Sequence, residues 1–247
     1  MRLVTTDAIV LRSYNLAESD RIVVCLTRSS GLVRAVAKGA RRMKSRFGAA
    51  LEPFTLIKLS FHERENRDLV TMSAAEILKS HFNLSSNLDT AEVLAYMGEL
   101  VTEFAPPHET DERLFRMLTA CVGALAEQSG SERALTRYFE IWLLRLAGLF
   151  PDFRACGSCG VTVDSKVSVA VDIELRLFCG KCAPVNANAF SPQVIEIVRA
   201  THQLSPGNFA AQHALSDRQY AELGDLTHRL ITRAIERRPR TLVASTR

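Results

Sequence analysis

Four cysteines in two pairs, Cys156-x2-Cys159 and Cys179-x2-Cys182 with nineteen residues between them, constrain this chain more than any other feature. A two-residue gap lets both thiolates of a pair reach one tetrahedral Zn²⁺ at about 2.3 Å. Gly157, Gly160 and Gly180 permit the tight turns such a knuckle requires. The intervening "VTVDSKVSVAVDIELRLF" alternates apolar and polar residues around Asp164-Ser165, which predicts a hairpin joining the two knuckles. Residues 154–184 are therefore expected to form a zinc ribbon holding one Zn²⁺ per chain. With all four positions filled by thiolates no activated water has a place, so the metal is expected to be structural. The competing arrangements are two disulfides or four unbonded thiols. A reducing cytoplasm disfavours the first, and the second leaves the paired spacing accidental. Cys25 falls in a strand pattern and Cys121 in a helix stripe, where each reads as a small buried hydrophobe.

On either side of residue 80 the hydrophobic period changes. Before it, "TTDAIVLRS", "DRIVVCLTR", "GLVRAVAK", "TLIKLSF" and "DLVTMSAAE" read as about five short strands, with Ile22, Val24 and Leu26 on one face and Thr55, Ile57, Leu59 and Phe61 on another. That count and length suit an OB-fold; pattern alone leaves an SH3-like barrel open. After residue 85 the apolar positions recur at helical spacing: Val93, Met97, Leu100, Val101 and Phe104, then Leu114, Leu118, Cys121, Val122 and Leu125, then Leu135, Phe139, Trp142, Leu143, Leu146 and Phe150. Asp89 with Glu92 marks the first helix start and Pro106-Pro107 its end, while Gly148 and Pro151 close the third helix. Ser191-Pro192 and the pair Ser216 and Gln219 open two further helices, the second by a capping box. The predicted class is an α+β multidomain chain. An N-terminal OB-fold β-barrel over residues 1–80 is followed by an all-α domain from 81–153 and 185–247, with the four-cysteine zinc ribbon inserted at 154–184.

Charge is unevenly spread: residues 1–80 carry a net +6, residues 81–150 a net −5 and residues 151–247 a net +3. Glu140 and Arg145 interrupt the most apolar stretch, "YFEIWLLRLAGLF", so no run approaches the roughly 18 uncharged residues of a membrane span. The apolar run at the start is too short for a signal peptide, and a cytoplasmic protein is expected. No phosphate-cradling G-x-x-x-x-G-K-[ST] loop, G-x-S-x-G elbow or H-E-x-x-H pair is present, and His62, His81, His108, His202, His213 and His228 are scattered. A catalytic site is not expected.

The positive field of the first third concentrates in "AKGARRMKSRF", where Lys38, Arg41, Arg42, Lys44 and Arg46 fall within nine positions without an acid. These cations lie on the connection between the third and fourth strands. On the preceding strand Arg34, Val36 and Lys38 share one face by alternation, extending the basic surface onto the barrel. Five unmixed cations repel one another, which ordinary surfaces avoid by mixing signs, so the loop is expected to meet phosphates. Such barrels bind single strands through a basic groove and stacking aromatics; here Tyr14 and Phe47 are the nearby aromatic candidates.

"VAKGARRMKSRFGAALEPFTLIKLSFHER", "LVTMSAAEIL", "RYFEIWLLRLAGLFPDFRACGSCG" and "FCGKC", in this order over nearly the whole chain, resemble the bacterial recombination mediator RecO family. The resemblance implies an OB-fold, a helical domain and a zinc-ribbon-like insertion. It also implies binding of single- and double-stranded DNA and annealing of complementary strands in DNA repair of the RecF-pathway type, in the bacterial cytoplasm at the nucleoid. With RecR, such proteins help RecA replace single-strand-binding protein on DNA. Carried over to this sequence, Arg34, Lys38, Arg41, Arg42, Lys44 and Arg46 match the family's basic region. The family also binds the acidic, apolar C-terminal tail of single-strand-binding protein on its helical domain. Arg137, beside Tyr138 and Phe139, is a candidate cation for that tail, against the plainer reading of a solvent-facing arginine. Two rivals stand beside this reading. One is a zinc-ribbon protein-protein adaptor with incidental nucleic-acid binding, and the other a nuclease or nucleotidyl transferase. A second candidate surface for DNA is the final helix, with Arg229, Arg233 and Arg237.

Overall fold

The computed structural model describes residues 2–63, 69–105, 109–163, 168–172, 174 and 176–241. The chain divides into two compact units, Met1–Ala126 with Pro239–Arg247, and Glu127–Arg238.

The first unit opens with five strands: β1 (Arg2–Leu16), β2 (Asp20–Thr27), β3 (Leu32–Ala37), β4 (Leu56–Glu63) and β5 (Leu69–Lys79). They pair in the closed order β1-β2-β3-β5-β4, with β4 returning to β1 through Ala8↔Ile57 and Thr6↔Leu59. Every pair is antiparallel except β3 with β5. The inner cluster takes alternate residues from each strand: Ala8 and Val10, Val23 and Cys25, Val33, Ala35 and Ala37, then Ile57, Leu59 and Phe61, with Met72. Alternation read along "TLIKLSF" thus finds the interior for β4. On β2 the interior belongs to Val23 and Cys25, although Val24 and Leu26 on the opposite face are also buried. A strand covered on both faces loses the contrast that assigns its inner side.

A sharp turn joins β2 to β3. Gly31 sits there at φ +61, and a Cβ at this position would lie 2.2 Å from the Glu109 carbonyl oxygen. The segment is fixed locally, since the Thr110 hydroxyl donates to the Ser29 carbonyl at 3.1 Å. Both the left-handed backbone and the close approach exclude a side chain. The variant Gly31→Ala is therefore expected to lose about 1–3 kcal/mol, read as a lowered melting temperature.

Helix α1 (Leu88–Phe104) starts under Asn87, whose side chain accepts from the Thr90 N–H; Asp89 lies in the first turn and not at the cap. Gly98 lets the Phe54 ring approach α1 closely, with a Cβ there lying 3.2 Å from the ring. Helix α2 (Glu112–Glu127) buries Leu114, Leu118, Cys121 and Leu125 as its stripe predicts. Pro106-Pro107 and His108 lie outside the described residues. The chain's end returns to this unit. The buried Glu99 carboxylate accepts the N–H groups of Arg240 and Thr241, each at 2.9 Å.

The second unit holds α3 (Glu132–Leu146), α4 (Pro192–Gln203), α5 (Pro206–Gln212) and α6 (Asp217–Ala234). Ser191-Pro192 opens α4, and the Ser216 and Gln219 capping box opens α6, both as the sequence predicts. The α3 stripe packs Leu135, Phe139 and Leu143 inward. The Trp142 indole N–H donates to the Thr201 carbonyl of α4 at 2.6 Å. Between α3 and α4 a small sheet of three-residue strands, β6 (Val169–Val171), β7 (Leu177–Cys179) and β8 (Asn188–Phe190), runs in the order β7-β6-β8. Where β6 gives way to β7, the Asp172 carboxylate accepts the N–H groups of Glu174 and Arg176 at 2.9 Å. The Asp164-Ser165 turn expected from the sequence lies outside the described residues.

Candidate nucleic-acid interface and metal centre

The basic loop leaves β3 at Ala37 as consecutive turns. The Ala40 N–H donates to the Ala37 carbonyl, Arg42 to Gly39 and Ser45 to Arg42, at 2.9 to 3.3 Å. Gly39 takes φ +71 to make the first of these. Turns of this kind leave side chains pointing outward, and Arg34, Lys38, Arg41, Arg42, Lys44 and Arg46 are all exposed. Arg34 lies on the outer face of β3 because Val33, Ala35 and Ala37 take the inner one, and Lys38 lies in the turn just beyond the strand. Among the described residues none of the six forms an ion pair with a carboxylate. The guanidinium of Arg46 lies 4.9 Å from the ring centroid of Phe47, and Phe47 itself is buried in the inner cluster. Of the two aromatics expected near the cations, Phe47 is a core residue and Tyr14 is exposed.

Two chain segments hold the loop from below. Asp20 accepts the Gly39 N–H at 2.7 Å and the Ser19 hydroxyl at 3.0 Å, and these bonds keep its carboxyl below the usual carboxylate range. At the far end Phe47 and the short helical turn Gly48–Leu51 plug the inner cluster with Ala50 and Leu51. The cations therefore project from a loop anchored at both ends.

In the second unit, Cys156, Cys159, Cys179 and Cys182 converge so that all four sulfurs lie within 4.8 Å of one another. Tetrahedral ligands at about 2.3 Å from Zn²⁺ stand roughly 3.8 Å apart. The Cys159 and Cys179 sulfurs are 3.8 Å apart. Each pair sits on a turn of its own. In the first, the Gly160 N–H donates to the Cys156 carbonyl and the Cys156 N–H to Val161; in the second, Cys182 and Ala183 both donate to the Cys179 carbonyl. Gly157 N–H donates to the Leu177 carbonyl at 2.7 Å and ties the two turns together. All four thiols are free of disulfides. Sulfurs this close cannot all ionise against one another. Backbone N–H groups of Cys159 and Cys179 draw Cys156 down to about 6, while the Cys159 and Cys179 side chains push Cys182 up to about 12. A divalent cation at the centre resolves that conflict, so the donor set fits zinc.

Arg137 is placed differently from both sequence readings. It is neither a solvent-facing arginine nor a cation beside an open hollow. It is 2% exposed, and its guanidinium pairs with Glu140 at 2.5 Å and stacks 3.9 Å over the Tyr220 ring. An incoming carboxylate would have to displace Glu140. The second unit does contain a cleft of about 490 Å³ lined by Arg145, Phe150, Phe153, Arg199 and His202, with Asp152 paired to Arg154 at 2.7 Å in the same lining. Its signal in the sequence is the aromatic pair of "LFPDFR" just before the first cysteines, flanked by Arg145 and Arg154. Arg229 and Arg233 are exposed on α6, and Arg237 is half-buried beyond its end. Among the described residues no helix is long and apolar enough to cross a membrane.

Comparison with known proteins places this chain in a family. A family model described as "Recombination protein O N terminal" matches residues 1–81, and one described as "Recombination protein O C terminal" matches residues 85–242. A DNA repair protein RecO from Anaeromyxobacter dehalogenans (strain 2CP-C) is 38% identical over 185 residues, covering 74% of this chain and 72% of that protein. The DNA repair protein RecO of Koribacter versatilis is 33% identical over 161 residues, 65% of each chain, so about a third of either protein stands outside that match. That of Syntrophotalea carbinolica is 35% identical over 162 residues, 66% of this chain and 62% of its own. With two family models that between them span residues 1–81 and 85–242, the chain belongs to the RecO family of DNA repair proteins.

Proposed function

We propose that this protein is a recombination mediator that binds single- and double-stranded DNA through the basic loop, anneals complementary strands, and does so without catalysis. One observation carries the reading: Arg34 on β3 and Lys38, Arg41, Arg42, Lys44 and Arg46 on a loop held at both ends form an exposed set of cations, unpaired with carboxylates among the described residues. Cations so placed neutralise phosphates and release counterions. Phosphate contacts position a strand without reading it, and base pairing between strands supplies the matching, so annealing needs no base-reading helix. The family supports a cytoplasmic, nucleoid-associated role with RecR in helping RecA replace single-strand-binding protein. For the acidic, apolar tail of that protein we favour the cleft at Arg145, Phe150 and Arg199, which offers the cation and the apolar hollow that Arg137 does not. The cysteine cluster holds one structural Zn²⁺ in this reading.

The test is a titration of single-stranded DNA across salt. Each phosphate contact adds about −0.7 to the slope of log affinity on log salt for single strands. Replacing Arg41, Arg42, Lys44 and Arg46 together by alanine is expected to flatten that slope by up to roughly 3 units, to weaken unrelated sequences alike, and to lower annealing in step. The melting temperature should change little, because all four are exposed. A folded quadruple variant with the parent affinity and slope would overturn the reading.

A further inference from the structure

We infer that Asp20, the first residue of β2 where the β1–β2 turn ends, is the positioning residue of the basic loop: it fixes the loop's backbone so that the cations meet a phosphate strand already ordered. The inference rests on the loop reading above and adds to it the device that shapes the loop.

Antiparallel pairing of β2 with β3 puts Arg21 opposite Ala37, so the turn before β2 lies beside the loop after β3. Three hydrogen bonds cross between them. The Gly39 N–H donates to Asp20 Oδ1 at 2.7 Å, the Arg41 N–H donates to the Ser19 carbonyl at 3.0 Å, and Arg41 Nη1 donates to the Ala17 carbonyl at 3.0 Å. A fourth, from the Ser19 hydroxyl to the same Asp20 Oδ1 at 3.0 Å, aims the carboxylate. Ala17 takes φ 52 and Gly39 φ 71, so both sides of the junction use the left-handed region.

On charge alone Asp20 is a defect, because it stands within electrostatic range of Lys38 and Arg42 and opposes a phosphate there. Its contribution is geometric. A flexible loop of cations loses backbone and side-chain freedom on meeting a strand, and a loop ordered beforehand has already lost much of it. The two accounts predict opposite signs. If Asp20 acts only through charge, Asp20→Ala binds DNA more tightly; if it positions the loop, Asp20→Ala binds more weakly.

The experiment titrates a fluorescein-labelled oligothymidylate into the full chain and its Asp20→Ala, Asp20→Asn and Ser19→Ala variants across salt, with thermal melts as the fold control. Asp20→Ala is expected to weaken binding about 5- to 10-fold with the parent salt slope, since the same phosphates are still contacted once the loop is ordered. Asp20→Asn keeps an acceptor for the Gly39 N–H and should restore most of the loss. Ser19→Ala changes no charge and is expected to weaken binding about twofold, which carries the test should Asp20→Ala fail to fold. An Asp20→Ala protein binding as tightly as the parent or more so, or an unchanged Ser19→Ala where the alanine variant is unfolded, would overturn the inference while the loop reading stands. If the quadruple loop variant also binds like the parent, the loop reading itself fails and the role of Asp20 falls with it.

Discussion

Replacing Cys179 with serine is expected to strip one equivalent of zinc from the protein and to loosen residues 154–184, while the five-stranded sheet of the first unit keeps its fold. The magnitude follows from how small the apolar cluster around the sulfurs is. Its sheet has strands of three residues each, and its own cluster of buried side chains is Cys156, Phe178 and Cys179, with Cys182 and Ala183 packed against it. Such a core is far below what an independent fold needs, and a bound structural Zn²⁺ contributes on the order of 10 kcal/mol to ordering its ligands. Cys179 joins the metal cluster to the small sheet. Its sulfur is buried, its carbonyl accepts the N–H groups of Cys182 and Ala183, and its strand position pairs with Val169. Elemental analysis of the purified protein should find one zinc per chain, and hydrogen exchange of Cys179→Ser should rise across 154–184 alone. Well under one equivalent in the parent protein, with the thiols paired as disulfides, would refute the metal assignment.

How much of this is legible in the sequence depends on how far apart the deciding residues lie in the chain. The cysteine turns are local: two residues separate each pair, and the backbone bonds that shape them run between neighbours such as Gly160 and Cys156. The capping box of α6 spans Ser216 to Gln219 and is local too. The short helix α5 begins with Ser205-Pro206, the same Ser-Pro signal that opens α4, but at seven residues it offers no stripe to confirm it. Strand β8 has three residues and no alternation to detect. The basic loop is visible from composition, whereas the Asp20 contact that shapes it joins positions nineteen apart across a strand pair. Arg137 escapes a sequence reading for the same reason. Its burial is decided by Tyr220 and His228, which no spacing along α3 reveals; only Glu140, three residues on, is a local hint of an internal pair.

That internal pair carries the second large expectation. Glu140 is fully buried, and its Oε2 accepts from Arg137 Nη1 and, at 2.7 Å, from the Thr227 hydroxyl, while His228 Nε2 lies 3.1 Å from Oε1. Gly224 makes the room: a Cβ there would lie 2.6 Å from an Arg137 nitrogen. Burial by itself raises the Glu140 carboxyl, but Arg137, then His228 and Thr227, bring it down to about 2. The unfolded chain, with the group near 4.5, therefore binds the proton more readily than the folded one. The stability this carboxylate contributes is complete above about pH 4.5 and is lost as pH falls toward about 2. Removing one partner should cost far more than the pair is worth. Arg137→Met is expected to lose about 3–5 kcal/mol, because it leaves Glu140 buried without its cation. Burial then holds the Glu140 carboxyl above its unfolded value, so the loss on acidification should vanish in that variant and its stability should instead fall as pH rises. The double variant Arg137→Met with Glu140→Leu removes both charges and should recover most of the loss, since well-packed apolar residues often replace a buried pair at little cost. Denaturant melts of the two single variants and the double, followed across pH, measure this coupling. Costs that simply add, or an acid limb that stays put in Arg137→Met, would show that the two side chains do not act as one buried unit.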